Sequence, residues 1–300
     1  MELRTLEYFL AVVREGNISG AAQALHMTQP TLSRQLSALE SELGCMLYQR
    51  SNKGIVLTEH GITLARYAES IVQLAEKANE EIRLPEHSVA GPVHIAAGET
   101  RIMRSLARAM QSVRDRYPKV TFELYSGTSA ELMDNLAKGF YDMLLECEVR
   151  SHKYFEVLEL PERDVWGMLV RKDSHLAKLP VIHAQDLIGE QVIMSRQAYR
   201  VGALDEWLGD VREQLKIVSF YNLPLNSKFL VQEGVGSSFT YEGLFDGNAE
   251  NNLVFIPLAP RLTSNQGILW RKGPLSRQAQ VFLDTVRKEC GQQIRPSDTF

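Results

Sequence analysis

The sequence predicts a small helical N-terminal module, one long connecting helix and a larger α/β body of two lobes. Three observations carry that prediction. Residues 1 to 58 show short helical patterns followed by a glycine-containing hairpin, residues 59 to 84 show one uninterrupted helical pattern, and from Gly91 onward short apolar strands alternate with helices. The stretch from Leu84 to Pro92 holds two prolines and a glycine, which end a helix and permit a change of direction. The expected division is therefore 1–58, 59–90 and 91–300.

Composition narrows the class of function. A chain of 300 residues can bury two real cores, and its 44% hydrophobic and 23% charged content excludes both disorder and a fibrous architecture. The 33 Lys and Arg stand against 37 Asp and Glu, a net charge of -4, so any basic patch for nucleic acid must be local. Cys45, Cys147 and Cys290 are odd in number and far apart. That pattern excludes a disulfide framework and a paired-cysteine zinc site, and it fits a reducing compartment. No stretch approaches a membrane span, and the first helical segment carries Glu2, Arg4, Glu7 and Arg14, so no membrane partner is expected and the location implied is cytoplasmic.

Leu3, Leu6, Phe9, Leu10 and Val13 recur at helical spacing, and Gly16-Asn17 ends this first helix. Ser19 is placed to cap a second helix, Gly20 to His26, whose Ala21, Ala22 and Ala24 allow another helix to approach closely. Thr28 is placed to cap a third. There Pro30 sits in the first turn, where its missing N–H is harmless, and Leu32, Leu36, Leu39 and Leu43 form the buried stripe. The pair makes a helix-turn-helix. With the leucines inward, the opposite face presents Gln29, Thr31, Ser33, Arg34 and Ser37, side chains that reach base edges and phosphates in a major groove. Thr28 and Pro30 complete the candidate DNA-contacting set. Leu47 to Thr58 reads as two short strands around a Ser51-Asn52-Lys53-Gly54 turn, a wing that lifts Arg50 and Lys53 toward the phosphates. Residues 1 to 58 balance Arg4, Arg14, Arg34, Arg50 and Lys53 against Glu2, Glu7, Glu15, Glu40 and Glu42. Residue chemistry alone therefore leaves open an ordinary three-helix cluster with a polar surface.

Leu6-Glu7-Tyr8-Phe9-Leu10-Ala11-Val12-Val13, the run from Ala21 to Leu36 through Thr28-Gln29-Pro30-Thr31, Leu39-Glu40-Ser41-Glu42-Leu43-Gly44 and Leu47-Tyr48-Gln49-Arg50 closely resemble the winged helix-turn-helix of LysR-type transcriptional regulators. The resemblance implies that Gln29, Pro30, Ser33 and Arg34 lie at the major groove, with the Arg50 to Lys53 wing beside the backbone or minor groove. It further implies an interrupted dyad operator in double-stranded DNA, a dimer commonly paired into a dimer of dimers, and a small-molecule effector sensed by the C-terminal part.

From Glu59 onward, Leu64, Ala68, Ile71, Ala75, Ala78 and Ile82 step by 4, 3, 4, 3 and 4, a heptad seam. Its small residues and flanking Arg66, Glu69, Glu76 and Lys77 favour a narrow contact between two chains over packing on its own domain. In the resembling family this segment is the dimerising linker helix.

Val93 to Ala97, Val120 to Tyr125 and Asp142 to Glu146 read as strands, with helices around Ile102 to Val113 and from Ser129 to Lys138. A second set follows at Val165 to Val170, Gln191 to Met194, Ile217 to Tyr221, Gly236 to Tyr241 and Leu253 to Leu258, before Gly267 to Trp270 and a last helix through Phe282, Val286 and Cys290. Such repeats predict parallel sheets that bind ligands at the carboxyl ends of their strands. The expected lobes are 91–162 with 264–300, the return implied by the resemblance, and 163–263. Two crossovers near Pro161 and Ser264 would form a hinge, as in periplasmic binding proteins.

The effector is expected between the lobes, at Glu99, Thr100, Arg101, Thr128, Ser129 and Glu146 on one side and Ser195, Asn222 and Phe239 on the other. Thr100 and Ser129 stand at helix starts, which favour an anionic oxygen, and the resembling family commonly uses those positions for acids. Glu146 opposes an acid unless it pairs with Arg101, with Arg200 or with a cationic group on the ligand. The expected ligand thus carries a carboxylate together with a cationic or hydroxyl group, with internal pairing of Glu146 as the alternative.

The chain holds no GxxxxGK[ST], HExxH, GxSxG or GxGxxG, and its seven histidines form no i, i+4 pair. No catalytic residue, metal or cofactor is expected. Cys147, at a strand end, is either inert core or a redox sensor. The competing reading is a cytoplasmic solute-binding or enzyme domain with an N-terminal oligomerisation module.

Overall fold

The computed structural model describes residues 1–51, 54–85, 88–149, 153–200, 202–245 and 252–291. They form two compact units, Met1–Leu84 and Pro85–Phe300. Among the described residues no helix is long and apolar enough to cross a membrane.

In the first unit, α1 (Leu3–Glu15) buries Leu6, Phe9, Ala11 and Val12, and Gly16 ends it at φ 67, a left-handed conformation that glycine adopts without a Cβ penalty. Helix α2 spans Ile18–Ala24. It starts two residues before the expected Gly20 because Asn17, not Ser19, is the cap, its Oδ1 accepting from Gly20 N at 2.7 Å. The earlier start carries Ile18 into the core. Thr28 caps α3 (Gln29–Leu43), which buries Leu32, Leu36 and Leu39. Leu43, expected on the same stripe, is 40% exposed in the last turn.

Strands β1 (Tyr48–Ser51) and β2 (Gly54–Leu57) pair antiparallel from Tyr48 with Leu57 to Ser51 with Gly54. The hairpin is tied to the end of α1 by Ile55 N donating to Gly16 O at 2.8 Å. A Cβ on Gly54 would come within 2.3 Å of that same oxygen, so only glycine allows the approach. Phe9, Leu32 and Leu36 are fully buried at the centre of the unit, each side chain contributing about 1.5–3 kcal/mol.

Helix α4 (Glu59–Arg83) is capped by Thr58. Its first turns belong to this core: Leu64 and Ala65 pack against it, and Ala68 is 0% exposed. The expected seam is corrected at that point, because Ala68 faces its own chain, where α1 crosses α4. Ile71 and Ile82, at 41% and 81% exposure, remain uncovered.

The second unit is built on one mixed sheet. Strands β3 (Gly91–Ala97), β4 (Val120–Ser126) and β5 (Met143–Glu146) run parallel, with α5 (Met103–Arg116) and α6 (Ser129–Lys138) between them. Strand β6 (Phe155–Arg171) continues past them. Next come β7 (Gln191–Ser195), α7 (Arg196–Arg200), α8 (Ala203–Leu208), β8 (Lys216–Tyr221), α9 (Leu225–Gln232), β9 (Ser237–Tyr241) and β10 (Leu253–Pro257). Strand β11 (Thr263–Arg271) and α10 (Arg277–Glu289) complete the unit. The order is β4-β3-β5-β11-β6-β9-β7-β8, with β10 also on β6.

The expectation of parallel pairing fails at the middle of the sheet. Strand β11 is antiparallel to β5 and β6, and β6 is antiparallel to β9 and β10. The single strand β6 spans 17 residues and includes Pro161, which the sequence marks as a break. Its register against β11 explains why proline is tolerated. Arg163 pairs with Asn265 and Glu159 with Gly267, and the bulge between them spans Pro161, so no ladder hydrogen bond is asked of its missing N–H.

The two largest apolar clusters of this unit draw on opposite ends of this pair of strands. One gathers Val93, Ile95, Leu106, Met143, Ile268 and Phe282. The other gathers Trp166, Met168, Val192, Met194, Leu204 and Phe239.

Candidate DNA-reading face and ligand cleft

On α3 the buried leucines leave Gln29, Pro30, Thr31, Arg34 and Ser37 exposed and Ser33 half-buried. The start of the helix is fixed locally. Thr28 Oγ1 accepts from Thr31 N and lies 2.8 Å from Thr31 Oγ1, while Ser19 Oγ on α2 donates to Gln29 Oε1 at 3.3 Å. Arg50 of the hairpin reaches back with Nη2 3.5 Å from Ser33 Oγ, linking wing to helix. Arg34 makes no hydrogen bond or ion pair among the described residues, so its planar donor fork is available. Lys53, the other expected wing cation, lies outside the described residues.

In the second unit a cleft partly open to solvent lies at the carboxyl ends of β3, β5, β7 and β8. Of the expected residues, Glu99, Ser129, Glu146, Ser195 and Asn222 line it.

The remaining expected residues have other employment. Phe239 is 0% exposed in the apolar core, and its neighbour Thr240 takes the cleft position, since successive residues of a strand point to opposite faces. Thr100 is buried, its Oγ1 donating to Asp164 Oδ2 and accepting from Ile102 N. Thr128 caps α6 by accepting from Glu131 N. Arg101 turns away from Glu146, with Nη1 3.5 Å from Glu242 Oε2 and Nε 4.0 Å from Asp164 Oδ1. The side chain of Arg200 lies outside the described residues.

Glu146 is paired internally. Both its carboxylate oxygens accept from Ser129 Oγ, at 2.8 and 2.9 Å. The N–H of Ser129, at the start of α6, donates to Gln197 Oε1 at 3.2 Å. Gln197 was not legible in the sequence, because the residues after β7 carry no strong helical period. Trp166, Tyr221 and Tyr241 also line the cleft and were missed, although Tyr221 and Tyr241 end their strands, where ligand contacts concentrate.

Electrostatics at the cleft run in one direction. Burial pushes the Cys147 thiol well up, and the nearby Asp164, Glu146 and Glu99 carboxylates push it further. A thiol so held is protonated and poorly reactive, which disfavours the redox-sensor reading. Burial likewise raises Tyr221, with Glu99 adding to the effect. Asp164 is 0% exposed where β6 meets β11, and burial raises its pKa against the opposing pull of Thr100 and Arg101. Among the described residues no group of three His, Cys, Asp or Glu side chains is placed to hold a metal ion.

Comparison with known proteins agrees with both units. Residues 3–62 match the profile of the bacterial regulatory helix-turn-helix protein, lysR family, and residues 86–291 match the LysR substrate binding domain. The chain is 26% identical over 290 residues to the uncharacterized HTH-type transcriptional regulator YybE of Bacillus subtilis, covering 95% of this chain and 98% of that one. It is 51% identical over 61 residues to the HTH-type transcriptional regulator ClcR of Pseudomonas putida, an alignment spanning only 21% of that protein's length and 20% of this chain. The crystal structure of full-length CbnR complexed with its target DNA superposes with a TM-score of 0.76 at 23% identity, over 96% of this chain and 100% of that one.

Proposed function

The chain belongs to the LysR family of transcriptional regulators, and from that premise we propose that it reads its operator with α3 and adjusts that binding to a small molecule held in the cleft of its second unit. The observation that carries the reading is Arg34, exposed and without a partner among the described residues, on a helix whose buried side is leucine. A guanidinium so placed can grip guanine in bidentate fashion, with Gln29, Thr31, Ser33 and Ser37 as shorter contacts and Thr28 and Pro30 setting the helix start. Arg50 and Lys53 serve the phosphates.

The family premise supports an interrupted dyad operator, and hence a dimer, further paired as a dimer of dimers, acting in the cytoplasm by binding and not by catalysis. The outer length of α4, with exposed Ile71, Ala78 and Ile82 and half-buried Ala75, is the proposed dimer seam, and Leu64 and Ala68 serve the internal core. The proposed division is a DNA-binding domain at 1–58, a linker at 59–90 and an effector domain at 91–300 with lobes 91–162 plus 264–300 and 163–263. The β6–β11 pair is its hinge. Glu99, Ser129, Glu146, Ser195 and Asn222 are proposed to face the effector.

Fluorescence anisotropy with the duplex upstream of the chain's own gene tests this at fixed salt. Binding at least about a thousandfold tighter than to an unrelated duplex is expected. Equal affinity for the two would sink the assignment.

A further inference from the structure

The chemistry of the cleft walls narrows the effector further, granting the proposal that the cleft is where it binds. Glu99, Glu146 and Glu148 line the cleft together with the rings of Trp166, Tyr221 and Tyr241, and among the described lining residues there is no Lys, Arg or His. Glu99 makes no hydrogen bond or ion pair among the described residues. Thr240 supplies an independent sign of a missing partner: it is 2% exposed, it lines the cleft, and its Oγ1 has no hydrogen-bond partner among the described residues. Buried hydroxyls are rarely left so.

The two donors of Ser129, the expected holder of an acid, are already engaged. The N–H of Ser129 donates to Gln197 and its hydroxyl to Glu146, so this residue is satisfied from within the protein. A carboxylate brought into this space would meet like charge at reduced dielectric, with no cation beside it among the described lining residues. A cation meets the opposite conditions. It gains from the carboxylates and from the aromatic lining supplied by Tyr221 and Tyr241, and an ammonium can donate to Thr240 Oγ1.

We infer that the cleft takes an organic cation, an amine with an apolar or aromatic body, whose ammonium group is held by Glu99 and Thr240. The apolar body lies against Leu144, Leu145 and Leu223.

Calorimetric titration of the full-length protein with phenethylamine, and with 3-phenylpropionate as its counterpart of opposite charge, tests the inference. The amine is expected to bind at least about tenfold tighter than the acid. Glu99→Gln should weaken the amine by at least about tenfold and Thr240→Val by a few fold. Equal or tighter binding of the acid overturns the cationic class. If the two substitutions still change the affinity for that acid, the cleft itself stands as the effector site. Amine binding that neither substitution alters places the ligand elsewhere and overturns both readings. Absence of amine binding at millimolar concentration overturns the cationic class.

Discussion

The backbone N–H of Ser129 lies 3.2 Å from Oε1 of Gln197, so the first residue of α6 is held by a side chain from the segment that follows β7. This one hydrogen bond joins α6, which packs on Ala96, Leu144 and Leu269, to α7, which packs against the core around Trp166 and Met194. Gln197→Ala should release it, raising the hydrogen-exchange rate of the Ser129 amide by about tenfold, the loss of roughly 1.4 kcal/mol of local protection. Unchanged exchange by mass spectrometry would mean that the N–H is protected by something else.

Operator reading should depend most on Arg34, because the exposed face of α3 holds no other Lys or Arg. Arg34→Ala is expected to lose about 1–3 kcal/mol of specific binding and to relax preference at one base pair. Arg50→Ala and Lys53→Ala should instead weaken binding to every duplex and reduce the salt slope by about one unit each. Anisotropy titrations at several salt concentrations distinguish the two behaviours, and an Arg34→Ala protein that binds like wild type would remove α3 as the reader.

Two neighbouring positions on α4 should respond in opposite ways. Ala68 is fully buried in its own unit, so Ala68→Leu should overpack that core and destabilise the fold by about 1–3 kcal/mol. Ile71 is 41% exposed, so Ile71→Asp should leave the melting temperature of the unit nearly unchanged while dissociating the dimer. Sedimentation velocity alongside thermal melting checks both, and an Ile71→Asp protein that remains dimeric would move the seam elsewhere.

Asp164 gives a dependence on pH whose sign follows from its environment. Burial raises its folded-state pKa above the ordinary value of 3.8, so the carboxyl holds its proton more readily in the folded than in the unfolded state. Stability linked to this group is fully present below the unfolded-state pKa and is lost as pH rises through the folded-state value. Asp164→Asn, which stays neutral, should therefore raise the melting temperature at pH 7, and the gain should vanish as the buffer is taken toward pH 4. A gain that is constant across that range, or a loss at neutral pH, would show that the Arg101 and Thr100 contacts outweigh desolvation.

The sequence by itself determined the features that rest on local forces. The helical period of α1, α3 and α6, the cap at Thr28 and the pairing of β1 with β2 are set by neighbours within a few residues, and so is the polar face that carries Arg34. The tertiary structure alone decided which side of a regular element meets which partner. The seam of α4 is one unbroken heptad pattern, yet α1 and the core of the first unit cover Ala68 and leave Ile71 bare. On β9 a shift of one residue exchanges the core residue Phe239 for the cleft residue Thr240, and the polar alternation there is too weak to fix the parity. Pro161 breaks a pattern in sequence but not in space, because a bulge against β11 removes the need for its N–H. Gln197 acquires its role only when the chain brings it to Ser129, 68 residues away, and no local pattern encodes a contact of that separation.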